Sequence, residues 1–325
     1  MSNRTGDWHG ARCAFRVTGK VPELWNPLTG DIRQQVIYEE HEGRTLLPLW
    51  LEPSGSIFVV FRAPESDRAR MDRIVAVEHN GENALPNTKE GSSALPSFEL
   101  VAGVGQETTL RAWQSGRYEL KTTSQNRVVD IAALPPPVEI AGPWDVSFAP
   151  NRGAPERLTL DKLSSWSEHG DPGVRYFSGT ATYRVNLAGG PESGNRNLRR
   201  YLDLGRVAVM AEVKLNGKEL GILWQPPFRV EVTDQLQPGE NALEVKVTNL
   251  WVNRQIGDEQ LPEDSARKAD GTLESWPSWV QDNKPSPTGR YSFTSWRLWK
   301  KDDTLAESGL LGPVKLLTVE DVPLK

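Results

Sequence analysis

Residues 212–232 read EVKLNGKELGILWQPPFRVEV. Val213 and Leu215 fall on one side of a short alternating run. Asn216-Gly217 follows, the pair preferred in tight hairpin turns because both residues accept positive φ. A second short run comes after it, and Pro226-Pro227 then breaks the ladder, since proline donates no backbone hydrogen bond. Phe228, Val230 and Val232 alternate beyond the break. Thr233–Gly239 reads as a turn and Glu240–Asn249 as a further strand. This rhythm of short antiparallel strands is that of a jelly roll.

The same texture extends outward. Ser56–Arg62, Asn126–Ala132, Thr180–Leu187, Ala208–Leu215 and Asn241–Asn249 read as strands. Only Glu65–Ile74 and Leu158–Ser165 suggest helix, and both are short. The spacing fits β-sandwiches rather than βαβ units. Leu134 is followed by three prolines, Pro135–Pro137, a stiff connector unable to join a sheet ladder. It predicts an all-β chain of two sandwich domains, 1–134 and 135–325, the second a jelly roll. A polar, proline-punctuated stretch from Asp258 to Pro287 reads as a long functional loop.

Composition narrows the function. The 325 residues carry 38 Lys+Arg against 43 Asp+Glu, a net charge of −5. That mild acidity disfavours a nucleic-acid partner. No apolar run approaches the roughly 20 residues of a membrane helix, and the N-terminal residues show no signal-peptide core. Cys13 is the single cysteine and cannot form an internal disulfide, which fits a reducing or an oxidising compartment alike. The 12 tryptophans outnumber the 8 phenylalanines and 6 tyrosines. Many turns with many flat aromatics suggest a protein that meets sugars, although a given tryptophan is more often core filler.

Several stretches carry a family resemblance. AEVKLNGKELG with PPFRVEVTDQLQPGENALEVKVTN resembles the sugar-binding jelly-roll domain of glycoside hydrolase family 2. PELWNPLTGDIR, GRTLLPLWLEPSGSIFVVFR, YLDLGRVAVMAEV, NRQIGDEQLPED, PTGRYSFTSW and SGLLGPVKLL resemble, in order from Arg12 to Leu317, the C-terminal β-rich part of glycoside hydrolase family 106, the α-L-rhamnosidases. The resemblance implies carbohydrate as the partner. It also implies a catalytic barrel with two glutamates upstream of such β domains; this chain has no eight-fold βα pattern to match it. The family's catalytic glutamates have no counterparts here. The chain reads as the tail of a longer glycosidase, of a kind often exported.

Candidate site residues follow from chemistry. Trp224, Trp251, Trp276, Trp279 and Trp296 offer indole faces on which sugar C–H faces stack, and Trp296 and Trp299, if on a strand, point to opposite sides. Asn253 and Arg254 supply paired hydrogen bonds to hydroxyls straight after a strand. Asp258 and Glu259 are adjacent carboxylates. Glycoside hydrolysis needs two carboxyl groups about 5–9.5 Å apart, so either would need a distant partner such as Glu212 or Glu52. Glu39-Glu40-His41-Glu42 reads as a charged strand end before a turn at Gly43. His9, His41, His79 and His169 lack zinc-site spacing; calcium is compatible with a sugar-binding sandwich, but no loop matches its motif, so no cofactor is called for by the residues. There is no GxSxG, P-loop or GxGxxG; Ser92-Ser93 lies in a polar loop. Three readings stand: a carbohydrate-binding or accessory module, a small glycosidase with a rebuilt carboxylate pair, or a support for an absent barrel.

Overall fold

The computed structural model describes residues 1–63, 73–86, 96–102, 107–189 and 195–324. Among these the chain is all-β, its strands pairing antiparallel into several sheets.

The Asn216-Gly217 turn forms as the residues require. Asn216 has φ 52° and Gly217 φ 80°, and the turn joins Met210–Leu215 to Lys218–Leu223. These strands close one end of a six-stranded sheet. Its order is Arg157–Leu160, Trp144–Phe148, Thr180–Ala188, Glu240–Thr248, Met210–Leu215, Lys218–Leu223. Alternation sets its inner face: Val146, Ala181, Tyr183, Val213, Leu215, Val245 and Val247 are all buried. Opposite lie residues of a second sheet and its approaches, including Leu202, Leu204, Phe228, Val232, Leu310 and Leu316, in the same apolar cluster. Two sheets with interdigitating inner faces make a sandwich.

The second sheet runs Arg229–Glu231, Leu198–Asp203, Lys315–Pro323, Thr109–Ala112, Phe98–Val101, with Val138–Glu139 also on Lys315–Pro323. It therefore takes strands from both sides of Pro135–Pro137. A second apolar cluster, with Val77, Phe98, Leu110, Tyr118 and Leu120 at its centre, belongs to the first half, yet Val322 and Leu324 pack against it. A small third cluster surrounds Tyr38, Leu47 and Leu49.

Aromatic residues fill the first cluster. Trp166 packs edge-on against Phe148 and Phe177 and stacks on Tyr183, at centroid separations of 5.5, 5.5 and 6.3 Å. The Tyr183 hydroxyl accepts from Trp166 Nε1 at 2.6 Å and from Leu310 N at 3.1 Å. Burial pushes the phenol far above its ordinary range. Tyr183→Phe strands both donors in an apolar interior. It is expected to cost about 2–3 kcal/mol, measurable by denaturant unfolding; a loss under about 0.5 kcal/mol contradicts this account.

Most expected strands form, among them Phe58–Arg62, Asn126–Ile131 and Thr180–Ala188. Glu39–His41 ends in a turn with Glu42 and Gly43 at positive φ, 48° and 71°. The helix expected over Leu158–Ser165 is a correction: Arg157–Leu160 pairs as a strand with Trp144–Phe148, because Leu158 and Leu160 lean on the sandwich core. Residues 65–72 of the other helical window lie outside the described residues, as do Ser92 and Ser93. Among the described residues, no helix is long and apolar enough to cross a membrane.

Candidate functional site

The residues straight after strand Glu240–Thr248 lead into a helix, Val252–Asp258. Its start carries no side-chain cap, since Trp251 stands at that position. What holds it is burial. Asn253, Arg254, Ile256, Gly257 and Asp258 all face inward. Gly257 lets it approach: a Cβ there would stand 2.6 Å from Tyr176 Cβ and 2.5 Å from Arg254 Nη2.

These residues bond to protein, not to solvent. Asn253 donates to Ala306 O at 2.7 Å and Ser308 Oγ at 2.9 Å, and accepts from Ala306 N at 2.8 Å. Arg254 lies over the rings of Tyr291 and Tyr176, 5.0 and 5.9 Å from their centroids. Asp258 is 2% exposed. One of its oxygens accepts from Tyr291 N, Ser292 N and Ser292 Oγ at 3.1, 2.7 and 2.6 Å. The other sits 3.1 Å from Arg254 Nε, too poorly aligned for a hydrogen bond, so charge alone joins that side of the pair. Asn253 and Arg254 were expected to reach sugar hydroxyls, and Asp258 to do acid–base work. Their partners are instead those of an anchor that ties residues 291–292 and 306–308 to the sandwich.

Glu259, one residue on, enters an arginine cluster. It lies 2.8 Å from Arg290 and 3.1 Å from Arg297, while Glu263 contacts both of those arginines. Arg267 adds a third guanidinium, donating to Gly271 O and Thr294 O at 3.0 and 2.7 Å. Burial first, then the charge of Arg297, hold it below its ordinary range. The cavity among these groups measures about 20 Å³, room for about one water. Glu212 lies elsewhere, on Met210–Leu215, with Lys246 at 3.9 Å.

The indoles fare differently. Trp276 and Trp279 flank Phe293 at 5.6 and 5.5 Å. Trp279 Nε1 donates to Asp264 O, and the Asp264 carboxylate accepts from Ser265 and Ser286. This bonding fixes a segment with little regular structure besides the short helix Ser278–Gln281. Trp276 is 58% exposed and Trp296 54%. Trp296 is not on a strand: it makes an isolated bridge to Thr272 and donates to Asp270 O. Trp224 and Trp251 are also exposed, the latter beneath Arg152 at 5.4 Å. The opening corner is therefore split: Phe228 is buried and Trp224 faces solvent. The segment thus presents open aromatic faces beside a guanidinium-rich cluster on a hydrogen-bonded base.

No protein-family profile matches the chain. It is 47% identical over 291 residues to a protein of Formosa agariphila named "Putative beta-glucuronidase", the match covering 88% of this chain and 24% of that one. The solved rhamnosidase of Novosphingobium sp. PP1Y superposes with a TM-score of 0.60 at 29% identity, over 98% of this chain and 22% of that chain. The chain spans about a quarter of the length of either protein. Over nearly all its residues, then, this chain is similar to about a quarter of a protein named "Putative beta-glucuronidase" and of a solved rhamnosidase.

Proposed function

We propose that the chain is a carbohydrate-binding accessory region of the α-L-rhamnosidase kind, its second half from Pro135 a sugar-binding jelly roll, and that Trp276, Trp279 and Trp296 form the contact surface. The observation that carries this is the exposure of Trp276 and Trp296 on a segment otherwise pinned by side-chain hydrogen bonds. Rigid, open indoles cost solubility unless they meet a partner, and they bind at little entropic cost. The relatives' names support a saccharide as that partner. Hydrolysis at Asp258 and Glu259 is disfavoured by their commitments to backbone amides and arginines.

A glycan-binding screen run beside a panel of aryl glycosides, the α-L-rhamnoside included, tests this. Saccharide binding without turnover is expected. Trp276→Ala should weaken it about tenfold, or 1.4 kcal/mol, with only a small change in melting temperature because the residue is 58% exposed and its ring meets Phe293. Binding indifferent to Trp276→Ala and Trp279→Ala removes this surface. Turnover lost in Glu259→Gln overturns the accessory reading.

A further inference from the structure

A second cleft lies in the first half of the chain. Strand Arg44–Leu51 is followed by Glu52, after which the backbone turns through Pro53, Ser54 and Gly55. Ser54 has φ 56°, and Gly55 N donates to Glu52 O at 2.9 Å. The buried Asn3 donates to the same carbonyl at 2.9 Å, and to Asp7 O at 2.7 Å. A Cβ on Gly55 would stand 3.1 Å from the Glu52 Cβ, so the glycine leaves that side chain its place. Strand Phe98–Val101 supplies Glu99, whose carboxylate accepts from Trp113 Nε1 at 3.2 Å. Trp50 packs edge-on against Phe98 at 5.9 Å.

These elements enclose a cleft of about 220 Å³ lined by Trp8, Asn26, Arg33, Trp50, Glu52 and Glu99, among others. That is the share of liquid volume held by about seven waters. Among the described residues, the Glu52 carboxylate makes no hydrogen bond or ion pair. Burial, then the negative charge of Glu99, pushes its carboxyl above the ordinary range, while Arg229 and Arg33 pull the other way. Both arginines have aspartate partners, Asp203 at 2.7 Å and Asp31 at 3.9 Å. No group of three or more His, Cys, Asp or Glu among the described residues is placed to hold a metal ion.

We infer that this cleft is a second saccharide site, taking an uncharged, hydroxyl-rich ring against Trp8 and Trp50, with Glu52, Glu99 and Asn26 meeting its hydroxyls. The inference rests on the carbohydrate reading above but on other residues. Apolar walls with a few convergent polar groups are the usual make-up of a small-ligand pocket. A carboxylate on the ligand would face Glu52, Glu99 and Asp31 against the single lining cation Arg33, itself paired with Asp31, in a partly desolvated space, which selects against a uronic acid.

The test is calorimetric titration of the protein with uncharged oligosaccharides and with uronic-acid counterparts, alongside saturation-transfer NMR. Neutral saccharides should bind at least about tenfold more tightly than uronates. Trp8→Ala should lower that affinity about tenfold, and Trp276→Ala should leave this site unchanged. Glu52→Gln keeps the shape and removes the charge, so the preference against uronates should shrink to about threefold or less. The folded wild type holds the Glu52 proton more tightly than the unfolded chain, so it loses stability as pH rises from the ordinary carboxylate value through the raised value of the folded state. Glu52→Gln should flatten that decline. Binding abolished by Trp276→Ala yet untouched by Trp8→Ala and Glu52→Gln overturns this site and leaves the first. Binding lost in the cleft variants alone removes the first and keeps this one. No binding to any saccharide overturns both.

Discussion

Asp258→Ala should destabilise the protein by about 3–5 kcal/mol, the usual cost of leaving one member of a buried ion pair alone. Three donors on Tyr291 and Ser292 lose their acceptor, and Arg254 keeps its charge inside the fold. Equilibrium unfolding in urea should show a shifted midpoint with the slope nearly unchanged. Adding Arg254→Met should recover the part due to the stranded charge but not the part due to the stranded amides. A single-variant loss below about 1 kcal/mol would show that the carboxylate is not the anchor described. The result bears on any search for activity: loss of turnover in Asp258→Ala would report a loosened fold before it reported chemistry. Glu259→Gln, outside that pair, is the cleaner probe.

Trp166→Ala should cost about as much, roughly 3–5 kcal/mol, through the transfer of a large ring out of the interior and the cavity left behind. The indole is 2% exposed among Phe148, Phe177 and Tyr183. Its removal also takes one of two donors from the Tyr183 hydroxyl. Gly309 lies against the same ring, where a Cβ would approach Trp166 at 2.7 Å, so the surrounding backbone already presses close. Thermal unfolding of the variant should begin well below the wild type. A small effect would mean that the neighbouring rings collapse into the gap, which the near-perpendicular Phe148–Phe177 contact at 75° argues against.

The sequence was informative where a local rule has a single geometric answer. Asn216-Gly217 could form a tight turn and little else, and period-two alternation in Thr180–Ala188 and Glu240–Thr248 could bury only one face. It was uninformative where tertiary packing overrides local preference. Residues 252–258 have no cap signal and a glycine near their end, so nothing local marks them as helix; burial of Asn253, Arg254 and Asp258 does. Leu158 and Leu160 fit a helix or a strand equally until the neighbouring strand is known. The exposure of Trp276 could be anticipated only from the irregularity of its segment. Glu52 was noted only as a distant carboxylate, because its meeting with Glu99 arises from pairing that no spacing encodes.

Strand Lys315–Pro323 has a consequence for how the molecule comes apart. Its ladder is shared between Leu198–Asp203 on one edge and Thr109–Ala112 with Val138–Glu139 on the other. A protease cut at Pro135–Pro137 would not release two independent pieces. The N-terminal piece would be left with Thr109–Ala112 as a raw edge, a template for unwanted pairing. The C-terminal piece would show the complementary row, so the two should remain noncovalently joined after nicking and, if forced apart, aggregate.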